Sequence, residues 1–140
     1  MKLDDKDIKI IEELKKDSRI SVRDIASITG IRPSTVHLRI NKLKQENIIE
    51  KFTVKLNNKK VNENFIVFVL LRSEKDIDNK IFRNNAVKEV FGVTGEYDLL
   101  LKLKFPDINE FNKFIIKFRK DNELTRTLTM VSTAVIKEEV

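Results

Sequence analysis

The chain contains no cysteine, which excludes disulfides, thiolate metal sites and cysteine nucleophiles. Its one histidine, His37, cannot build a multi-histidine zinc or iron site. Tyrosine also occurs once, and the three glycines form no phosphate-cradling loop. No nucleophile–base pair stands out, so catalysis is the poorest reading, and neither an enzyme activity nor a cofactor is expected. No run reaches the ~18 apolar residues that a membrane span needs. The start, MKLDDKDIK, lacks the apolar core of a signal peptide. The expected location is the cytoplasm, with no membrane partner.

What is present is charge, unevenly placed. Residues 1–60 carry 15 Lys and Arg against 9 Asp and Glu, whereas residues 61–140 carry 13 of each. The whole net charge of +6 therefore lies in the first part of the chain. Within it, residues 18–60 hold 10 basic and 3 acidic groups. A basic segment beside a neutral one is the footprint of a nucleic-acid-binding module joined to a unit with another task. A merely solvated lysine-rich surface is the plainer alternative.

The basic segment reads as three helices. Asp4 can cap the first, and Ile8, Ile11 and Leu14 recur at helical spacing to about Lys16. Ser21 caps a second, short helix with Asp24 at its third position, and Gly30 ends it in a left-handed turn. The third begins at Pro33, a favourable first helical position, and runs to about Glu46, with Asn47 in the left-handed cap. Val36, Ile40 and Leu43 share one face of it. Ser34, Leu38, Asn41 and Gln45 point away, flanked by Thr35, His37 and Lys42. Two helices joined by a glycine turn, the second polar and basic outward, make a helix-turn-helix. Phe52, Val54 and Leu56 alternate as in a strand, and the polar stretch 57–64 has linker composition. The expected domains are residues 1–60 and 61–140.

The second domain reads as βαββαβ. Phe65 to Leu71 is a continuous apolar run, expected to be a strand buried on both faces. Ile77, Ile81 and Phe82 mark a short helix closed by Asn84 and Asn85. Strands are expected at Val90–Thr94, at Leu99–Phe105 and over the long segment Thr127–Ile136. Between the last two, Asp107 and Glu110 start a helix striped by Phe111, Phe114, Ile115 and Phe118. The fold class is thus α+β, a helix-turn-helix followed by a ferredoxin-like unit. Two helices cover only one face of a four-stranded sheet, so the other face calls for a second copy of the chain.

The order Leu3-Asp4, Ile11, Leu14, Arg19, Ser21, Ile25-Ala26, Gly30, Val36, Arg39-Ile40, Leu43, followed by Val93-Thr94-Gly95-Glu96-Tyr97-Asp98-Leu99-Leu100, resembles the leucine-responsive/AsnC, or feast/famine, regulators. The resemblance spans nearly the whole chain, and the GxYD turn is its most specific part. It implies a winged helix-turn-helix and a ferredoxin-like domain that pairs into dimers and often into larger assemblies. It also implies amino acids or related small molecules as effectors near the GxYD turn, with Gly95, Tyr97, Asp98, Thr127 and Thr129 as the contacts. A purely structural duty stands beside that role, since glycine permits the turn, aspartate bonds its own backbone and threonine favours strands. Three positions depart from the family pattern. Arg32 stands where serine usually caps the third helix, Asn47 stands in place of glycine, and Asn122-Glu123-Leu124 lacks the usual proline and glycine.

The expected function is sequence-specific binding of double-stranded promoter DNA by a homodimer or larger assembly, with the transcription machinery as a further partner. Arg32, Ser34, Thr35, His37, Leu38, Arg39, Asn41 and Lys42 are the candidate DNA contacts on the third helix. Arginine pairs with guanine, asparagine with adenine, and an exposed leucine meets a thymine methyl. Arg19, Arg23, Lys44, Lys51 and Lys55 are candidates for phosphate, which positions without specifying. A weakly specific architectural DNA-binding protein would share the fold and charge. A stand-alone metabolite-binding module would leave the basic part without a purpose.

Overall fold

The computed structural model of the chain describes residues 2–77 and 79–139, which form two compact units. The first ends at Lys55 and the second runs over Leu56–Glu139.

In the first unit α1 spans Asp5–Lys16, α2 spans Val22–Thr29 and α3 spans Pro33–Gln45. Each start has a local cause. The Asp7 backbone N–H donates to the Asp4 carboxylate at 3.0 Å, and the Asp4 N–H donates to Asp7 at 3.1 Å. This is a reciprocal capping box that satisfies two otherwise orphaned donors. Ser21 accepts from the Asp24 N–H at 3.0 Å. Arg32 gives α3 no side-chain cap, so Pro33 starts that helix through its fixed φ alone. Gly30 closes α2 at φ +70°, and Asn47 follows α3 at φ +55°. Ile10, Ile25, Ala26, Ile31, Val36 and Leu43 form the buried centre of the three-helix packing.

The strand expected at Phe52, Val54 and Leu56 does not form. Alternation supplies the pattern of a strand but not a partner, and the first unit has no other strand among its described residues. Phe52, Val54 and Leu56 remain exposed. The segment is pinned instead by the Ser18 hydroxyl, which donates to the Thr53 carbonyl at 2.8 Å.

The second unit contains β1 Phe65–Arg72, β2 Val87–Gly92, β3 Leu99–Phe105, α4 Ile108–Asn122 and β4 Arg126–Val131. The sheet order is β2-β3-β1-β4, antiparallel at every pairing. Val67, Val69 and Leu71 of β1, with Leu101, Leu103 and Phe105 of β3, bury one face under Phe111, Ile115 and Phe118 of α4. Asp107 starts α4 by accepting from the N–H groups of Asn109 and Glu110 at 2.8 and 3.0 Å.

Four features differ from expectation. The short helix after β1 is reduced to a 3-10 turn at Ile81–Arg83, while Asp78 within the expected helix lies outside the described residues. Asn84 helps to end it, because its side chain accepts from the Ala86 N–H at 2.9 Å and competes with helical bonding. β2 begins at Val87 rather than Val90, with a bulge between Val87 and Glu89, and it stops at Gly92. β4 stops at Val131, short of Ile136. Val131 is opposite Val67, and the Ser132 N–H makes the last bond, to the Ile66 carbonyl at 2.9 Å. Finally, β1 is buried fully on one face only. On the other, Ile66 is buried while Phe68 and Leu70 are half-buried.

That second face carries apolar and ionic regions. Phe91, Leu128 and Met130 are exposed on it. Lys102 reaches Glu89 and Glu138, each at 2.9 Å, and Lys104 reaches Glu138 at 2.9 Å. Burial opposes the charge of Lys102, but the two carboxylates outweigh it and raise its pKa.

Candidate nucleic-acid interface

The candidate interface is built on α3, and its inner face is what holds it in place. Val36 and Leu43 are fully buried in the three-helix core, with Ile40 packed beside them. The helix rotation that buries these three turns Arg32, Ser34, His37, Leu38 and Lys42 outward, all exposed, with Thr35 and Asn41 half-buried at the margins. Leu38 is 67% exposed, a position with no part in the core. An unburied leucine among polar groups suits contact with an apolar spot such as a thymine methyl.

Arg39 is placed apart from the others. Its Nη1 donates to both carboxylate oxygens of Asp4, at 2.6 and 2.7 Å, and to Asp7 at 2.8 Å. Asp7 is only 2% exposed, so a buried carboxylate at the start of α1 is neutralised by a cation from the middle of α3. The Arg39 guanidinium, helped by the Asp7 N–H, holds the Asp4 carboxyl down at about 2. The same contacts raise the pKa of Arg39 further above its ordinary value. The sequence pattern alone puts Arg39 among the DNA contacts and does not connect it with Asp4 and Asp7. The available signal is an acidic pair at a helix start and an arginine flanking the core stripe.

Asn41 and His37 are linked. They lie one helical turn apart, and the Asn41 Nδ2 is 3.1 Å from the His37 Nε2. Among the phosphate candidates, Arg19, Arg23 and Lys51 are exposed, while Lys44 lies 6.0 Å from the centre of the Phe52 ring.

The candidate effector residues gather around the far end of β1. Gly95 has φ +116°, a conformation that side chains other than glycine's rarely adopt. The Val93 N–H donates to the Asp98 carbonyl at 2.9 Å, and the Asp98 N–H donates to the Leu71 carbonyl at 2.9 Å. Asp98 also accepts from the Ser73 N–H at 3.2 Å. The Arg126 guanidinium stands 5.4 Å from the centre of the Tyr97 ring and 3.2 Å from Glu96. Thr127, opposite Leu71 in the ladder, accepts from Arg119 at 2.7 Å, whereas Thr129 lies two residues along, opposite Val69. Asp98 and Thr127 are thus engaged in structure-forming bonds within the single chain. Where the family pattern has proline and glycine, Glu123 takes the left-handed cap of α4 at φ +48°.

No helix among the described residues is long and apolar enough to cross a membrane.

Comparison with known proteins matches both units. Residues 3–50 match the family described as winged helix-turn-helix DNA-binding, and residues 65–140 match the Lrp/AsnC ligand binding domain. An uncharacterised HTH-type transcriptional regulator of Pyrococcus furiosus is 40% identical, with 99% of this chain and 97% of that one covered. The crystal structure of an AsnC family transcriptional regulator from Agrobacterium tumefaciens superposes with a TM-score of 0.92 at 25% identity, covering 98% of this chain and 94% of that one. A transcriptional regulator from Neisseria meningitidis, solved in complex with L-Met, shares the fold with a TM-score of 0.89 at 24% identity, covering 99% of this chain and 94% of that one.

Proposed function

The chain belongs to the Lrp/AsnC family of DNA-binding transcription regulators, and from that premise we propose that it works as a homodimer or larger assembly, reading a two-fold promoter site with α3. The observation that carries this reading is the division of α3. One face is locked into the core by Val36, Ile40 and Leu43. The other presents Ser34, Leu38 and Asn41, flanked by Arg32, Thr35, His37 and Lys42. A helix held rigidly by its inner face can place side chains against base edges in the major groove. The basic excess of residues 18–60 supplies the attraction to phosphate. Arg39, spent on Asp4 and Asp7, is assigned to holding α3 rather than to touching DNA.

The second unit, in this reading, brings two copies together. Phe91, Leu128 and Met130, beside half-buried Phe68, Leu70 and Leu100, leave an apolar patch that a like patch on another copy would cover. Gly95, Tyr97, Asp98, Thr127 and Thr129 are the proposed effector contacts, supported by the ligand-binding-domain match over residues 65–140. Amino acids are the first compounds to test, given the L-Met complex of the Neisseria protein. The protein would act by binding in the cytoplasm, where it meets promoter DNA and the transcription machinery, and not by catalysis.

The deciding experiment selects bound duplexes from a random DNA pool with the full chain. A pseudo-palindromic consensus, its half-sites about one helical turn or a multiple of it apart, is the expected result. Retention of the pool without enrichment would replace the regulator by an architectural protein.

A further inference from the structure

We propose that the cleft between α4 and the 3-10 turn at Ile81–Arg83 is a small-molecule site, for an aromatic acid whose ring carries a hydrogen-bond donor opposite its carboxylate. The proposal rests neither on DNA reading by α3 nor on the effector turn. None of Gly95, Tyr97, Asp98, Thr127 and Thr129 lines this cleft.

The cleft exists because α4 covers a sheet face that two helices were expected to share. Between β1 and β2 the described residues form only the short turn, so one flank of α4 stays open. The opening holds about 960 Å³, within the ~300–1,000 Å³ usual for small-molecule sites. Its floor is aromatic. The Phe105 and Phe114 ring centres lie 5.4 Å apart, and Phe114 stacks on Phe118 at 5.5 Å, 15° from parallel. Phe114 is only half-buried, so part of its ring is left for a planar ligand to contact.

The polar groups are arranged in order along α4. Asn122 lines the cleft although it is 9% exposed. Its Nδ2 donates to the Phe118 carbonyl at 2.9 Å, which fixes the direction of the carboxamide. Nothing among the described residues donates to its Oδ1. That oxygen is not sealed in, since every sealed side-chain N or O among the described residues has a partner. It is an acceptor waiting in the cleft wall for a donor.

Lys117 and Asp121 stand exposed in the adjacent row, and neither has a partner among the described residues. They lie four residues apart, but a lysine N-terminal to an acid is the weaker order for a helical pair. Other charges lining the cleft are engaged. Lys113 pairs with Glu110 at 2.7 Å and Glu63 with Lys88 at 2.6 Å. The open groups are therefore a cation at Lys117 and acceptors at Asp121 and Asn122, about 7 Å further along the helix axis. A para-substituted aromatic acid has the complementary order. Its carboxylate meets Lys117, its ring lies on Phe114, and its hydroxyl or amine donates to Asn122. A carboxylate at both ends would face Asp121, so diacids are disfavoured.

The test titrates the full chain with para-hydroxyphenylacetate, phenylacetate and para-hydroxyphenylethanol, followed by calorimetry. The first should bind. Phenylacetate, without the donor, should bind roughly two- to tenfold more weakly, the worth of one hydrogen bond. The alcohol, without the carboxylate, should bind roughly two- to fivefold more weakly, the worth of an exposed ion pair. Lys117→Ala should weaken the acid to the level of the alcohol, leave the alcohol unaffected and leave the melting temperature unchanged. Asn122→Ala, shown by its melt to be folded, should erase the difference between the hydroxylated acid and phenylacetate. Gly95→Ala should change none of these affinities. No binding of para-hydroxyphenylacetate at millimolar concentration, or an affinity indifferent to Lys117→Ala, would overturn the site. Loss of binding in Gly95→Ala would place the acid at the effector turn and overturn it equally.

Discussion

The Nη1 of Arg39 lies 2.8 Å from the Oδ1 of Asp7, a carboxylate almost completely hidden from solvent. This contact joins the start of α1 to the middle of the helix that faces outward. A long side chain from α3 thus fixes the rotation of α3 about its own axis relative to α1. The rotation decides which residues face away from the core.

Removing the cation strands the acid. Arg39→Ala should destabilise the full chain by about 1–3 kcal/mol, the usual cost of a buried polar group left without its partner. Urea unfolding followed by circular dichroism measures it. Arg39→Ala combined with Asp7→Asn should recover part of the loss. A variant as stable as the parent would show that the clamp holds nothing.

Acid should release the same clamp. The carboxyl of Asp4 is depressed from 3.8 to about 2 by Arg39 and the Asp7 N–H, so its contribution is complete above about pH 4. It is lost as pH falls from there through about 2. Asp4→Asn can still cap α1, yet it has no carboxylate to protonate. Stability of the parent should therefore fall more steeply between pH 4 and 2 than that of the variant, read by thermal melts across the range.

Attraction and specification should separate on DNA. Lys51 is exposed and lies outside α3. Lys51→Ala should weaken binding to the selected site and to random DNA alike, and lower the salt slope by about one, the share of a single neutralised phosphate. Fluorescence anisotropy over a salt series gives both numbers. A weakening confined to the selected site would place Lys51 among the base readers.

Charge on the open sheet face should separate the copies. Leu128 and Phe91 are 43% and 52% exposed, so neither is needed to fill the core. Leu128→Lys with Phe91→Lys should leave a folded monomer at micromolar concentration in sedimentation velocity, where the parent sediments as a dimer or larger. A parent that is itself monomeric would refute the proposed assembly.

Gly95 tests the effector turn. A Cβ at this position meets nothing within 4 Å, so the strain in Gly95→Ala arises from φ +116° alone. The variant should lose about 1 kcal/mol or more of stability, with the damage concentrated at the hairpin. Calorimetry with the twenty amino acids should show binding to the parent and weaker binding to the variant. Silence with every amino acid would remove the sensor role and leave DNA binding untouched.

Much of this arrangement is legible in the chain because it is encoded locally. Asp4, Ser21 and Asp107 announce their helices through short-range bonds to the next turn. Gly30 and Asn47 mark turns through a backbone conformation few residues tolerate. What escapes is decided by partners distant in sequence. Phe52, Val54 and Leu56 alternate faithfully but find no strand to pair with. Thr133 and Val135 continue the alternation of β4, yet the ladder with β1 ends at Val131, opposite Val67. The same holds on α3, where composition puts Arg39 with the DNA contacts and only the fold brings Asp4 and Asp7 within reach of it.

The two faces of α3 also differ in what they let heredity do. Val36, Leu43 and Arg39 answer to other residues of the same chain, so a change there is tested at once by folding. Ser34, Leu38 and Lys42 stand outside the core that holds the helix. Under the proposed reading of DNA by α3, drift at those three positions leaves the scaffold intact while altering which promoters are bound. A duplicated copy of this gene could therefore acquire a new set of targets in a few steps, without passing through an unfolded ancestor.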